Sequence, residues 1–541
     1  MIEEFYRGYL GISDPYSHQK EMWNKIIERN FPLIVKAPTG SGKTEGVIAP
    51  FLYQFVENKF SIAPRLIYVL PMRVLVNSIA KRIGEYAQKV SNEISVEIQH
   101  GELPNDPFFI DDIVVTTLDQ FIYAYARTSK QVGRHLDIPV GAIASSIVVF
   151  DEAHMYRDEF TFSMMRALVE ILYNAKIPFI MMTATMPETL EESLFENIDF
   201  DKKNKIIPKE FNLANKINIS FEKGALYKND EVSISEEILD KIRERKTLIV
   251  VNQVKRAQKI YDEIKNRLGL KERAEIVLLH SQFTRKDRKE HEDEAMRILP
   301  HKEKGKIMSS EGIGVVVSTQ VLEAGMDVSA ELLLTEISPA DSLVQRAGRC
   351  ARYENQTGEM IIFPLEGERA EKPYFKDHLD TTSKWLDNHL ESNLRNFSEV
   401  LEFINVLDYR ADDYAAKDSL VDLYECILYA DTTPRNIQVR ESKPATLLVM
   451  DRLLGITDWK SNPINVDVRV VWRLFKEGKI RREIRWNITA SKEKKLEIRD
   501  LGKPTEDEED PRIGPFRTYI LDKNYYDSLK GVVGEINDVV I

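Results

Sequence analysis

Five short apolar runs recur between residues 30 and 190, and amphipathic stretches separate them. The runs read PLIVKAP, RLIYVLP, DIVVTT, SIVVFDE and PFIMMTAT. Each is rich in β-branched residues and ends in a turn, a pattern typical of a strand buried on both faces. Buried strands that alternate with helices predict a doubly wound parallel sheet.

The pattern fades near residue 190 and returns in KTLIVVN, AEIVLLHS, GVVVST, ELLLTEI and EMIIFP, between residues 246 and 364. We therefore predict an α/β fold with two tandem doubly wound parallel-sheet domains. The predicted boundaries are 1–205 and 206–365, followed by an accessory C-terminal domain over 366–541. Within that last part, residues 373–430 are expected to be helical, and residues 465–490 to form a pair of strands.

Composition narrows the class of protein without naming its partner. The 541 residues suit two to four domains, and 43% apolar with 30% charged residues is typical of a globular chain. No apolar run reaches the roughly 18 residues of a membrane helix, and MIEEFYRGYL resembles no targeting signal. With only two cysteines, a cytoplasmic location is expected. The net charge of −12 still allows a local basic groove.

The stretch APTGSGKT follows the first predicted strand and precedes a helix-compatible segment. This is the context of a phosphate-binding loop, in which glycines let backbone amides surround an anion. Lys43 is expected to reach the terminal phosphates of a nucleotide, and Thr44 to bind Mg²⁺. The predicted loop residues are Ala37, Pro38, Thr39, Gly40, Ser41, Gly42, Lys43 and Thr44.

Two carboxylates end the fourth run, in VVFDEAHMY. Acids at the carboxyl end of a parallel strand face the cleft in which nucleotides bind. Asp151 is predicted to hold the metal, and Glu152 to orient and deprotonate the attacking water. His154, Thr183 and Thr185 are candidates for coupling this site to its neighbours. A polar cleft residue and threonines of a β-turn explain these three as well.

In order and spacing, the motifs APTGSGKT, DEAH, TAT and QRAGRCAR resemble those of superfamily 2 helicases of the DExH/DEAH-box kind, over residues 15–365. The resemblance implies two RecA-like lobes, with ATP and Mg²⁺ bound by the first and arginines supplied by the second. It assigns Arg349 and Arg352 to the γ-phosphate and Gln345 to the lobe interface. The spacing of the arginines predicts that both lie on one face of a helix.

Other family positions follow from the same resemblance. Gln19 matches the glutamine that reads adenine, and Asp327 in STQVLEAGMDVS matches the ribose contact, with Gly325 allowing a tight approach. Loops after the strands match those that grip a nucleic-acid backbone, although a solvated loop explains each one equally well. The nucleic-acid candidates are Arg73, Gly101, Thr116, Thr117, His280, Ser281, Arg285 and Thr319.

LPMRVLVNS, TTLDQF, STQVLEAGMDVS and the segment YYDSLKGVV resemble the helicase of type I CRISPR interference. The resemblance implies 3′ to 5′ unwinding of DNA that has a single strand or overhang, together with a guide-RNA surveillance complex. Fused members carry an HD nuclease before the phosphate loop, but no His-Asp dipeptide occurs here. We therefore expect the stand-alone helicase form, with the nuclease on a separate chain and no membrane partner.

Several alternatives stay open at this point. A DEAH-type RNA helicase, a DNA-repair helicase unrelated to CRISPR, an ATPase that remodels protein complexes and a structural DNA-binding module are the competing functions. Residues 476–499 carry nine Lys/Arg and four Glu around Trp486. This pattern suits single-stranded nucleic acid, and an exposed amphipathic hairpin explains it almost as well.

Overall fold

The structure of the chain is a computed structural model. It describes all residues except 102, 209–214, 270–271, 304–305, 324–325, 354–355, 390, 410–415, 432, 434–436, 441–442, 451–462, 489–493, 505–509 and 534–541. Gly325, the centre of the acidic segment 503–512 and the side chain of Trp486 therefore lie outside the described part.

The chain divides into two compact units, each made of two segments. The first unit contains Met1–Asn212 and Asn396–Glu441, and the second contains Leu213–Arg395 and Ser442–Ile541. The domain boundaries expected from sequence, at residues 205 and 365, stay a prediction. No helix in the described part is long and apolar enough to cross a membrane.

A parallel sheet of seven described strands forms the centre of the first unit, in the order β3-β4-β2-β5-β6-β1-β7. All five runs predicted from sequence are strands of this sheet. The strands are β1 (Leu33–Lys36), β2 (Arg65–Leu70), β3 (Val96–Gln99), β4 (Ile113–Thr117), β5 (Ser146–Phe150), β6 (Phe179–Thr183) and β7 (Lys205–Ile206).

The second unit has its own parallel sheet, in the order β12-β15-β11-β16-β17-β8, and again contains the five predicted runs. Short antiparallel hairpins, β9-β10 and β13-β14, accompany it. The strands are β8 (Lys216–Phe221), β9 (Tyr227–Lys228), β10 (Glu231–Val232), β11 (Thr247–Val250), β12 (Glu275–Leu279), β13 (His301–Glu303), β14 (Lys306–Met308), β15 (Gly314–Ser318), β16 (Leu332–Glu336) and β17 (Thr357–Phe363).

A mixed sheet and a last hairpin complete the second unit. The sheet order is β19-β18-β22-β20-β21, with only the β18-β22 pair parallel among its described pairings. The strands are β18 (Pro444–Met450), β19 (Pro463–Asp467), β20 (Ile480–Ile488), β21 (Lys494–Asp500), β22 (Thr518–Asp522), β23 (Tyr526–Asp527) and β24 (Gly531–Val532).

Amphipathic helices connect the strands and bury their apolar faces on the sheets. The α-helices are α1 (Ile2–Phe5), α2 (Ser17–Ile27), α3 (Lys43–Glu57), α4 (Arg73–Val90), α5 (Leu118–Tyr125), α6 (Asp137–Ala144), α7 (Glu159–Asn174), α8 (Glu188–Leu194), α9 (Glu236–Glu244), α10 (Val254–Ile264), α11 (Arg285–Ile298), α12 (Ala340–Ala347), α13 (Lys376–Asn388), α14 (Phe397–Ile404), α15 (Lys417–Leu428) and α16 (Val468–Lys476).

One element expected from sequence is wrong. Residues 465–490 do not form a simple strand pair, because helix α16 lies between β19 and β20. The Asp467 side chain caps this helix by accepting a hydrogen bond from Arg469 N. Val470, Val471 and Leu474 are buried on one face at helical spacing, so a run of β-branched residues here follows the helical period.

Candidate nucleotide and nucleic-acid sites

The predicted phosphate loop joins β1 to α3, which begins at Lys43. Gly40 and Gly42 have φ angles of +83° and +74°, a region that L side chains rarely adopt. Ser41 is fully buried, and its hydroxyl oxygen has no hydrogen-bond partner within the described residues. Positive φ angles and an unpaired buried hydroxyl are consistent with a loop shaped to receive an anion.

The loop is held in place from α2. Gln19 Nε2 donates a hydrogen bond to Gly42 O at 2.8 Å, and Gln19 Oε1 accepts one from Tyr16 N at 2.9 Å. His18 Nε2 lies 2.9 Å from Ser41 O. A Cβ atom at Gly42 would come within 2.3 Å of Gln19 Nε2, so a larger residue would displace the Gln19 amide from its hydrogen bond to the loop. The structure thus places Gln19 on the loop backbone; its predicted adenine contact stays a prediction.

The Lys43 ammonium lies against the loop it belongs to. Its Nζ atom donates to Ala37 O at 2.9 Å and to Pro38 O at 3.2 Å, and the residue is buried. The positive charge of Lys43 opposes the rise in the pKa of Asp151 that burial and Glu152 cause. The ammonium is therefore within electrostatic reach of this predicted metal ligand.

Thr44 and Asp151, the two predicted metal ligands, meet at one phenol. Tyr68 OH donates to Asp151 Oδ2 at 2.6 Å and lies 3.2 Å from Thr44 Oγ1. Burial, followed by the negative charge of Glu152, raises the pKa of Asp151 above its ordinary value. A cation at this place would oppose both effects, since it favours the ionised carboxylate.

These residues fit Mg²⁺. A hydroxyl and a carboxylate are hard oxygen ligands, and Mg²⁺ is commonly held by one or two protein groups, substrate phosphates and water. Within the described part, no group of three or more His, Cys, Asp or Glu side chains could hold a metal ion.

Glu152 and the predicted coupling residues lie together beside β6. Glu152 has a φ of +52° and begins the turn that carries His154. His154 Nδ1 lies 3.1 Å from Thr183 Oγ1 and 3.5 Å from Glu152 Oε2. Thr183 Oγ1 also accepts a hydrogen bond from Thr185 N at 3.2 Å. The arrangement links the predicted water-activating carboxylate to the end of the neighbouring strand.

The first-unit candidates for nucleic-acid contact share one edge of the sheet. Gln99 of β3 and Leu70 of β2 pair with Thr116 and Thr117 of β4, so the three strands end side by side. Arg73 Nη2 lies 3.3 Å from the place that a Cβ atom would take at Gly101. This edge therefore brings arginine, backbone and hydroxyl groups together.

Not every group at that edge is available. Thr116 is fully buried, and its hydroxyl donates to Gln99 O at 2.7 Å. Thr117 lies directly before the first turn of α5. The amides of a helix N-terminus bind phosphate oxygens, so the backbone at Thr117 is better suited to such contacts than the Thr116 side chain.

In the second unit, the expectation that Arg349 and Arg352 share one helix face is wrong. Helix α12 ends at Ala347, and the chain then turns back along Ala330, with hydrogen bonds from Ala330 N to Arg349 O and from Ala351 N to Ala330 O. Ala351 has a φ of +47°, outside the helical region. Both arginines thus belong to a turn, while Gln345 is on the helix.

The two arginines contact the same loop. Arg349 donates from Nη2 to Glu323 O at 2.7 Å and from Nε to Leu322 O at 3.1 Å. Arg352 Nε forms an ion pair with Asp327 Oδ1 at 2.7 Å. Asp327, the predicted ribose contact, is therefore paired with a predicted phosphate contact.

Arg346, which we did not single out from sequence, supports this region. It is almost fully buried, and its guanidinium donates to Glu323 Oε1, Thr335 Oγ1 and Asn252 Oδ1 at 2.8–2.9 Å. The buried guanidinium thus joins α12 to β16 and to the loops that carry Asn252 and Glu323. Its position inside the QRAGRCAR motif is the sequence signal that could have identified it.

The remaining nucleic-acid candidates lie where β12 and β15 end. Leu279 pairs with Ser318, so His280 and Thr319 follow neighbouring strand ends. His280 is fully buried, and its Nε2 lies 2.8 Å from Lys530 O. Ser281 is partly exposed and Arg285 is exposed. The predicted nucleic-acid contacts stay predictions, and for His280 the hairpin β23-β24 now covers the side chain.

Comparisons with known proteins match both motif-bearing stretches of the chain to helicase family models. The family model of DEAD/DEAH box helicases matches residues 16–193. The model described as CRISPR-associated nuclease/helicase Cas3, C-terminal, matches residues 243–355. The first match contains the predicted phosphate loop and the DEAH motif, and the second contains QRAGRCAR.

Similar curated proteins and structures carry related names. The chain is 31% identical to the CRISPR-associated helicase Cas3 of Thermoproteus tenax, over 68% of this chain and 61% of that protein. It is 27% identical to the CRISPR-associated nuclease/helicase Cas3 of Methanothermobacter thermautotrophicus, over 66% of this chain and 43% of that protein. The chain thus spans about half the length of the curated relatives it matches.

The fold resembles that in the crystal structure of T. fusca Cas3-AMPPNP. The TM-score is 0.70 at 16% identity, over 98% of this chain and 71% of that one. At 16% identity this similarity concerns the fold alone. In the present chain that fold comprises the two parallel sheets and the C-terminal mixed sheet.

Proposed function

Because the chain belongs to the DEAD/DEAH-box helicases and has Cas3 helicases among its homologues, we propose that it is an ATP-driven motor that unwinds DNA. The observation that supports this most is the cluster of Lys43, Thr44, Asp151 and Glu152 at one edge of the first sheet. The same edge carries Arg73, Gly101 and the start of α5. The first unit would therefore bind the phosphates of the nucleotide and one part of the nucleic-acid strand.

The proposed chemistry assigns a role to each group. Lys43 binds the terminal phosphates, and Thr44 and Asp151 hold Mg²⁺, which neutralises charge on the phosphates when bound. Glu152 orients the attacking water and accepts its proton. Arg349 and Arg352 of the second unit stabilise the negative charge that develops during phosphoryl transfer. Asp327 leaves its ion pair with Arg352 and contacts the ribose.

We further propose that the motor moves 3′ to 5′ and serves type I CRISPR interference. A guide-RNA surveillance complex would load it, and an HD nuclease on a separate chain would cut the exposed strand. Similarity to proteins named CRISPR-associated helicase and CRISPR-associated nuclease/helicase supports the role in CRISPR interference. The polarity and the separate nuclease rest on the resemblance of the motifs alone. The purified chain should then unwind DNA without cutting it.

Strand displacement on 3′-tailed and 5′-tailed duplexes of DNA and RNA tests this proposal. We expect ATP-dependent unwinding of the 3′-tailed DNA alone. Lys43→Ala and Glu152→Gln should abolish ATP turnover and leave DNA binding intact, because neither residue lies among the predicted strand contacts. The exposed Lys59→Ala is the control and should behave as the wild-type chain.

Three outcomes would contradict the proposal. Intact turnover in Glu152→Gln would remove the water-activating role of this carboxylate. Unwinding of RNA alone would favour the RNA helicase, and DNA-stimulated hydrolysis without strand separation would favour an ATPase that remodels complexes.

A further inference from the structure

The chain returns to the first unit after the second sheet, and this return segment (residues 396–440, as far as described) is attached at several places. Asn405 Oδ1 accepts from Glu188 N at 3.0 Å. Arg127 Nη1 donates to Cys426 O at 2.8 Å. Thr161 Oγ1 donates to Val439 O at 3.2 Å, directly before Arg440. The segment therefore delivers Arg440 to the first unit at a defined position.

Arg440 joins two loops of the first unit. Its Nε and Nη2 atoms donate to the two carboxylate oxygens of Asp119 at 3.1 and 3.0 Å. The same Nη2 donates to Pro71 O at 2.7 Å. A two-point arginine–carboxylate pair is directional and stronger than a single contact. This guanidinium therefore fixes the positions of Asp119 and Pro71 relative to each other.

Both partners belong to the edge that carries the strand-binding candidates. Pro71 lies between the end of β2 and Arg73, the first residue of α4. Asp119 is the second residue of α5 and follows Thr117 by two positions. A carboxylate at this place would repel a phosphodiester backbone, unless a cation neutralised it.

The charges of this pair also reach the nucleotide side of the unit. Attraction to Asp119 raises the pKa of Arg440, so the guanidinium stays charged. Burial raises the pKa of Tyr156, and Arg440 opposes that rise while Asp119, Asp151 and Glu152 add to it. Tyr156, two positions after His154 of the DEAH motif, thus lies within electrostatic reach of both the ion pair and the predicted hydrolytic carboxylates.

We infer that Arg440 is a positioning residue for nucleic-acid binding: it neutralises Asp119 and ties the loop before α4 to the start of α5. The inference rests on the proposed function, since it concerns the strand-binding edge. It adds a residue from the return segment, outside both motif-bearing stretches, and assigns it an electrostatic role.

Equilibrium binding of a fluorescent single-stranded DNA to the full chain tests the inference, in a series of salt concentrations. Arg440→Met keeps the length of the side chain and removes its charge. We expect about fivefold weaker binding at low salt, because Asp119 is left unpaired, and a smaller loss at high salt, where the repulsion is screened. Loss of packing alone would not shrink with salt.

A second variant distinguishes charge from structure. Asp119→Asn combined with Arg440→Met removes both charges and should recover most of the wild-type affinity. Arg166→Met is the matched control, because it removes an arginine from an ion pair with Glu196 in the same unit without touching Pro71, Asp119 or the return-segment contacts named above. It should bind DNA as the wild-type chain does.

The outcomes are separable. Unchanged affinity in Arg440→Met, or no recovery in the double variant, would overturn the inference while the proposed function stands. No DNA binding by the wild-type chain would overturn the proposed function, and the inference with it.

Discussion

Tyr68 places a hydroxyl between the two side chains expected to hold Mg²⁺. It is fully buried, and burial, with the nearby Asp151 carboxylate, raises its pKa far above the ordinary value. The phenol therefore stays protonated and donates to Asp151. A fixed donor of this kind orients a metal-binding carboxylate. Tyr68 does not appear among the sequence-predicted residues, although a tyrosine in the aliphatic run RLIYVLP was a visible signal.

Tyr68→Phe should weaken Mg²⁺-dependent nucleotide binding. Loss of one hydrogen bond to a carboxylate costs about 1–2 kcal/mol, which corresponds to roughly a tenfold rise in the Mg²⁺ concentration for half-maximal binding. The measurement is the affinity for a fluorescent ADP in a Mg²⁺ titration. Binding without Mg²⁺ should be unchanged.

Tyr53→Phe serves as the control, since its ring packs against Phe5 and Trp23, away from Asp151. If Tyr68→Phe and Tyr53→Phe give the same Mg²⁺ dependence, Tyr68 is only a core residue.

At the scale of elements, the hairpin β23-β24 is attached to the loop after β12 through a neutral histidine. His280 Nε2 lies 2.8 Å from Lys530 O, and His280 Nδ1 accepts from Gln282 N at 3.1 Å. Both ring nitrogens are therefore used by the uncharged imidazole. Burial lowers the pKa of His280 to about 3, and the charges of His291 and Arg288 act in the same direction.

Acid should loosen this hairpin. The unfolded imidazole takes up a proton below about pH 6.5, whereas the folded one stays neutral until about pH 3, so stability falls as the pH drops through this window. At pH 5 the loss amounts to about 2 kcal/mol. Hydrogen exchange of amides 526–533, corrected for intrinsic rates, measures it.

His280→Asn should remove most of this pH dependence, whereas the exposed His389→Asn should keep it. Equal protection at pH 7.5 and pH 5 in the wild-type chain would contradict the role of His280.

Sequence periodicity identified the central strands of both parallel sheets, and among their described edge strands it identified only β12. The ten predicted runs are continuous apolar segments, because both faces of those strands are covered. β8, at one end of the second sheet, alternates exposed and buried positions in KINISF, and β3, at an end of the first, is only partly buried. Neither has the continuous apolar run that identified the others.

For the whole molecule, the proposed reaction divides its groups between the two units. Lys43 and Glu152 are in the first unit, while Arg349 and Arg352 are in the second. Arg349 is buried against backbone carbonyls, so replacing it would also disturb the fold. Arg352 retains 21% side-chain exposure and gives the cleaner test.

Arg352→Ala should lower the rate of ATP turnover by at least about 100-fold and change ATP affinity by less than about threefold, because the guanidinium acts on charge that develops in the reaction. Steady-state hydrolysis with saturating DNA, combined with binding of a fluorescent ATP analogue, provides both numbers. Arg297→Ala, a half-exposed arginine of α11, is the control. Equal losses in rate and affinity would instead make Arg352 a ground-state contact.

The sequence by itself determined the features that depend on near neighbours: the predicted phosphate loop, the DEAH carboxylates and the buried strands that carry them. Each of these features consists of residues a few positions apart, and such residues stay close together however the rest of the chain folds. Only the tertiary structure decided the partners that lie far apart, such as Tyr68 with Asp151, 83 positions on, and Asp119 with Arg440, 321 positions on. Such pairs depend on strand order and on the path of the return segment, and local periodicity carries no information about either.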